Sequence, residues 1–282
     1  MNRILILGAT GFIGQAIYKE LRAYFDIYGT YVTPTTYATE NSILFPYNCE
    51  EDSIYSILQE VAPTFIISCF SGEYSSRFKA HEEIATYIAT SQNCKLLFIS
   101  SSSVFDGAFK FPSYEKDTLN PQSSEGRYFA SVEKMLLTIP KEKVVIARLP
   151  MILGVTAPLV IQLQQAIKNH AAFDVYPNLV ISATTVDKAS QQLHYIISKN
   201  LSGIFHLSST DVTHHDDLFK EIAQAFGSQM PIFKQVFSSN EDRFLAILPK
   251  HNKLPENYTI SIEEVIESCT LKDEIITLKQ KI

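Results

Sequence analysis

The chain opens with an apolar run, Ile4 to Leu7, too continuous for a half-exposed strand and suited to one buried on both faces. Past Gly8, Gly11 and Gly14 the period changes. Ile13, Ile17 and Leu21 recur every four residues, which marks one face of a helix. The alternation then continues. Residues 26–32 (DIYGTYV), 64–70 (TFIISCF), 95–105 (KLLFISSSSVF) and 143–150 (KVVIARLP) read as strands, and 53–61, 81–92 and 126–138 as the helices between them. Strands alternating with helices require right-handed crossovers, so the pattern predicts an α/β fold of Rossmann type, a doubly wound and mostly parallel sheet. Beyond Gly154 the alternation loosens, with helices at 158–169, 185–198 and 215–226 and a short strand at 203–209.

Composition narrows the classes. With 46% hydrophobic and 19% charged residues over 282 positions, the chain can build a full core. A formal charge of -6 with no dense Lys/Arg run argues against nucleic acid as a partner. No apolar run reaches the roughly 18 residues a membrane span needs, and the first run leads into glycines and not to a cleavage site. Cys49, Cys69, Cys94 and Cys269 are scattered, with no CxxC pair and no histidine at ligand spacing. Reduced thiols, a cytoplasmic location and no metal site are expected. His214 and His215 in THHDD point to different sides of a helix, so Thr213 with Asp216 reads as a helix cap. His81, Glu82 and Glu83 read as the solvated start of a helix.

The chemistry begins at LGATGFIG. Glycines at 8, 11 and 14 between a buried strand and an amphipathic helix serve three purposes: a tight turn, close approach of backbone to a pyrophosphate, and close helix packing. The helix N-terminus adds amide donors and a positive dipole. The expected cofactor contacts are Gly8, Thr10, Gly11, Phe12, Ile13 and Gly14, with Thr33, Cys69 and Phe70 from the following strand ends. The second strand ends in TYVTPTTY, with neither an acid for the ribose of NAD nor an arginine for a 2′-phosphate. Hydroxyls at Thr33, Thr35 and Thr36 tip the expectation from NAD towards NADP. On this reading residues 1–153 form the dinucleotide-binding domain and 154–282 a smaller α/β lobe for substrate or partner, partly interwoven with the first.

Five segments follow one another along the chain: GxxGxxG at Gly8, Gly11 and Gly14; SSSSVFDG from Ser100 to Gly107; Glu115, Asp117 and Pro121; ARLPMILG ending at Gly154; and GIFHLS with Gly203 and His206. In this order they resemble the extended short-chain dehydrogenase/reductase superfamily, most closely dTDP-4-dehydrorhamnose reductases and nucleotide-sugar epimerases. The family reads proline, three residues, then YGxSK and, four residues on, a glutamate. Anchored on Pro121 and closed by Gly126 and Glu133, that frame puts Glu125 at the tyrosine position and Phe129 at the lysine position. Tyr128 cannot replace the tyrosine by a slide, because its fourth neighbour is Val132.

The resemblance implies a general acid/base tyrosine, a lysine that lowers its pKa and holds the nicotinamide ribose, and a Ser/Thr that bonds the substrate oxygen. Only the last survives, at Ser101. Phe70 stands where relatives have small residues and is expected to crowd the cofactor, and of the PTxxxD segment only Asp187 is kept. Glu125 has two readings: a shielded carboxyl acting as a substitute acid or base, or a solvated residue at a helix start. The resemblance leaves two functions open. One is a silent or altered relative that binds NADP or NAD and regulates a protein partner, as the beta subunit of methionine adenosyltransferase does. The other is an active reductase or epimerase on a nucleotide-sugar-like ligand. Members of the superfamily often pair through helices flanking the sheet, so the resemblance admits a homodimer and leaves the oligomeric state open.

Overall fold

The computed structural model describes residues 2–34, 41–108, 110–237 and 240–270. The chain divides into two compact units. The first comprises Met1–Val104, Pro121–Arg148 and Ser190–Phe205, and the second Phe105–Asn120, Leu149–Ala189 and His206–Ile282.

The first unit is organised by strands β1 (Arg3–Leu7), β2 (Asp26–Tyr31), β3 (Leu44–Pro46), β4 (Phe65–Ser68), β5 (Lys95–Ser101) and β6 (Val144–Leu149). Two short strands, β7 (Met151–Leu153) and β10 (Ala183–Thr185), pair in the second unit, and β8 (Ala172–Val175) and β9 (Leu179–Ile181) lie between them in sequence. The next strand, β11 (Gly203–His206), completes a seven-stranded sheet in the order β11-β6-β5-β4-β1-β2-β3. The pairings of β1 with β2 and β4, of β2 with β3 and of β4 with β5 are all parallel. Strand order reverses beside β1, so the crevice at the carboxyl ends of β1 and β4 is the switch point where ligands bind in such sheets. Ile4 to Leu7, Ile66, Ile67, Leu96 and Leu97 are fully buried, as continuous apolar runs require.

The helices of this unit are α1 (Phe12–Leu21), α2 (Tyr55–Val61), α3 (Tyr74–Thr90) and α4 (Ser124–Leu136). Two expectations change here. The strand expected over 95–105 ends at Ser101, and residues 102–105 coil into a 3-10 turn. The helix expected from 81 starts seven residues earlier, because the Glu73 carboxylate caps it by accepting from the backbone N–H groups of Ser75 and Ser76. His81 is therefore buried in mid-helix and not at a solvated end. Glu83 is also committed: it accepts from Ser53 Oγ at 2.9 Å and Ile54 N at 3.0 Å, tying α3 to the start of α2.

Helix α5 (Pro158–Asn169) lies in the second unit, α6 (Val186–Ser198) starts there and continues into the first from Ser190, and α7 (His215–Phe226) and α8 (Ile262–Ser268) follow in the second. Strand β12 (Thr213–His214) pairs with β9, β13 (Ile232–Gln235) with β8, and β14 (Arg243–Leu245) with β9. Thr213 is not a cap. It lies opposite Ile181 in that pairing, and its hydroxyl donates to the His214 carbonyl, while α7 begins uncapped at His215. Backbone pairing has taken the residue that a local rule assigns to the helix.

Candidate functional site

Gly8 follows β1 at φ +84, and a Cβ there would stand 2.7 Å from the Phe70 Cα. The loop after β4 thus runs directly against the loop after β1. Gly14 is stricter still, because any side chain would collide with the Gly8 carbonyl. Gly8 N donates to Thr30 Oγ1 and Ala9 N to the Thr30 carbonyl, both at 2.9 Å, which fastens the loop to β2. No side chain caps α1: Gly11 is its N-cap, and the amides of Phe12, Ile13 and Gly14 form its first turn. An uncapped helix start beside a glycine turn provides donors and a positive dipole for an anion.

A cavity of about 640 Å³ opens here. It is lined by the glycine loop and by Gln15, Tyr18 and Arg22, which with Gly11 form one stripe of α1 at helical spacing. Thr30 to Thr33, Leu44, Tyr47 and Cys49 form another wall, and Cys69, Phe70 and Ser71 close it. Among the described residues that line it there is no Asp or Glu, and Arg22 is the one charged side chain. Gln15 Nε2 donates to the Thr10 carbonyl at 2.7 Å, which holds the loop's outer strand. Cys69 turns its sulfur inward, donating to the Leu7 carbonyl at 3.1 Å, and burial pushes its thiol up to about 12.

The structure therefore gathers Gly8, Thr10, Gly11, Thr33, Cys69 and Phe70 around one space. Phe12 and Ile13 do not line it with side chains and stand at its edge as the first residues of α1. Thr35 and Thr36 lie outside the described residues. Sequence reasoning missed Gln15, Tyr18 and Arg22, although the stripe 11, 15, 18, 22 carried the signal once α1 was recognised.

The acid/base positions look different. Ser101 ends β5, and its Oγ accepts from Ser103 N at 3.1 Å, which starts the 3-10 turn. Glu125 is exposed in the first turn of α4, two residues after the N-cap Ser123, whose side chain accepts from Gly126 N. Negative charge is favoured there. It is not enclosed beside Phe129. Phe129 is 9% exposed, packed on Phe98 at 5.9 Å and Tyr128 at 5.2 Å, with the Arg77 guanidinium 5.6 Å above its ring. Arg77 also lies 4.2 Å over the Tyr128 ring, and Tyr74 stacks on that ring at 5.2 Å.

Behind this aromatic layer lies His81, which the sequence reading placed in solvent. Its Nε2 bonds Ser68 Oγ at 2.8 Å and its Nδ1 the Arg77 carbonyl at 2.6 Å. The carbonyl can only accept, so Nδ1 carries the proton and Nε2 accepts from Ser68. Burial drives the imidazole pKa down to about 4. Tyr128 Oη lies 3.3 Å from His81 Nδ1, and burial, opposed by Arg77, pushes its hydroxyl up to about 12. That tyrosine is held inward and is not poised as a proton donor. Phe70 stacks on the His81 ring at 5.2 Å and meets Tyr47 edge-on at 6.0 Å. Below, Glu133 and Arg148, 0% and 2% exposed, pair through Oε2 and an Arg148 terminal nitrogen at 2.7 Å, with Ser100 Oγ donating to Glu133 Oε1 at 2.6 Å.

In the second unit His215 is buried against Tyr176 and Phe219, with its pKa lowered to about 4 by burial. His214 faces Asp242 at 3.6 Å instead. The two histidines diverge, as adjacent positions do. No helix among the described residues is long and apolar enough to cross a membrane.

Comparison with known proteins agrees with this layout. A methionine adenosyltransferase 2 subunit beta from Danio rerio is 26% identical over 253 residues, covering 80% of this chain and 74% of that protein. A dTDP-4-dehydrorhamnose reductase from Clostridium acetobutylicum superposes with a TM-score of 0.75 at 21% identity, covering 98% of this chain and 99% of the other. A dTDP-4-dehydrorhamnose reductase from Bacillus anthracis, solved in complex with NADP, does so with a TM-score of 0.75 at 20% identity, covering 96% and 99%. At these identities the structural likeness is one of fold. Residues 1–264 match the family described as the RmlD substrate binding domain, and with that match the chain belongs to this family.

Proposed function

We propose that this protein binds a nicotinamide dinucleotide at the glycine-loop cavity and acts as a regulatory or sensing subunit for a protein partner, not as a reductase. The observation that carries this is the contrast within one unit. The loop, its uncapped helix start and the cavity are intact, while the positions for proton transfer hold an exposed Glu125 and a buried Phe129. The amides of α1 would hold the pyrophosphate. The cavity has no carboxylate for a ribose diol among its described residues and has Arg22 for a 2′-phosphate, which favours NADP over NAD. Bound there, the cofactor would supply a hydride-carrying ring, but neither Glu125 nor Phe129 is placed to move a proton beside it. The relative named as a subunit of methionine adenosyltransferase points to a protein partner, and residues 154–282 are the proposed region for it.

A second reading, an active reductase or epimerase on a nucleotide-sugar-like carbonyl, is favoured by Ser101 standing at the end of β5 and by neighbours named as such enzymes. Calorimetric titration of cofactor-stripped protein with NADPH and with NADH, followed by hydride turnover with a panel of sugar nucleotides, separates the readings. Micromolar binding of NADPH without turnover is expected. Turnover above background would establish the enzyme, and absence of any binding would remove the cofactor from both.

A further inference from the structure

The cavity belongs to one half of the fold. Its described lining comes from the loop after β1, α1 and its ends, β2 and the residues after it, the start of β3 with the residues after it, and the loop after β4, and includes none of Ser101, Glu125 or Phe129. In doubly wound sheets these elements make up the first mononucleotide half, which takes the adenylate end of a dinucleotide. The other half has lost its grip chemically as well. At the lysine position Phe129 offers no donor, and it is sealed by Phe98, Tyr128 and the Arg77 guanidinium. Arg77 does not simply replace the lysine, since its charge is spread over the faces of Tyr74, Tyr128 and Phe129 and its Nε is buried without a partner. The wall nearest that side is Phe70, pinned between His81 and Tyr47.

Resting on the dinucleotide reading above, we infer that the site recognises the adenosine diphosphate-ribose portion of its ligand and not the nicotinamide. The protein is then blind to the redox state of the cofactor and senses how much of it there is. A charge-assisted hydrogen bond is among the strongest single contacts a site offers, and the one that the resemblance implies from a lysine to the nicotinamide ribose has no donor at Phe129. The adenylate side keeps its donors: the amides of α1, Thr33 and Arg22.

The test is calorimetry on the stripped full-length protein with 2′-phospho-ADP-ribose, NADP+ and NADPH, and in parallel with ADP-ribose, NAD+ and NADH. Within the series that binds, dissociation constants within about threefold of one another are expected, and nicotinamide mononucleotide alone should not bind at millimolar concentration. An Arg22→Ala variant should weaken all three phosphorylated ligands by the same factor, about tenfold or more. NADPH binding tenfold tighter than either the fragment or NADP+ would overturn this inference while leaving the dinucleotide reading in place. If no member of either series binds, both fall together.

Discussion

The glycine loop and the first turns of α4 lie in the same unit, at places where the resemblance implies cofactor binding and proton transfer, and they have diverged in opposite ways. The loop is made of backbone. Its amides, its turn at Gly8 and the packing of Gly14 depend on the absence of side chains, so a few glycines preserve the whole device. The site that the resemblance implies at α4 is made of side chains, and each can be exchanged for one that packs. Phe129, Tyr128 and His81 have become a buried layer, and Glu125 has been left in solvent. On the proposed reading, a binding function made of main chain outlasts a catalytic function made of two side chains, because the side chains can be exchanged for ones that pack into the core.

That comparison can be broken, and the sharpest attempt is at the base of α4. Glu133→Ala removes the carboxylate that pairs with Arg148 at 2% exposure and strips Ser100 of its acceptor. Removing one partner of such a buried pair costs about 3–5 kcal/mol. Chemical denaturation should show that loss, and a loss under 1 kcal/mol would mean that the pair does not hold α4 to the sheet.

Acid should reveal the same layer. His81 titrates near 4 in the folded protein against 6.5 for the free side chain, so it stays neutral when folded and takes up a proton only on unfolding. The folded value is depressed, so unfolding binds protons below pH 6.5. Stability is complete above that pH and falls as pH drops towards 4, by about 3 kcal/mol for this group. His215 adds a parallel loss in the other unit. Thermal midpoints measured from pH 7 to pH 4 should fall steadily, and a His81→Gln variant should show a shallower slope. An unchanged slope would mean that another group carries the acid sensitivity.

On the loop side, Gly14→Ala forces a methyl against the Gly8 carbonyl. A destabilisation of about 1–3 kcal/mol is expected, with nucleotide binding lost even at temperatures where the variant is fully folded. Retained binding would show that the loop tolerates the helix shift and that the amide cradle is not what holds the ligand. The smallest effect is expected at Glu125→Gln. An exposed first-turn residue should change stability by less than about 0.5 kcal/mol and leave NADPH binding, and any turnover the unaltered protein shows, unchanged. Any drop in turnover would return Glu125 to the mechanism.

The order of elements was legible because apolar periodicity records which face each segment buries, and the run Ile4 to Leu7 followed by Ile13, Ile17 and Leu21 leaves little choice. The exchange at Glu125 and Phe129 was legible too, since Pro121, Gly126 and Glu133 fix the frame from both sides. His81 was not. Its neighbours Glu82 and Glu83 look like a solvated helix start, and only the cap at Glu73 moves that start back two turns and carries His81 inside. Thr213 misled in the same way, because its local signal as a cap lost to pairing with β9.

By itself the sequence determined an alternating α/β chain with a phosphate-type glycine turn and without the tyrosine and lysine, because those properties depend on spacing along the chain. The tertiary structure decided which charged group reaches the cavity, that Phe70 is part of its wall, and that Tyr128 turns inward to His81. Those depend on distances between segments far apart in sequence, and local periodicity carries no record of them.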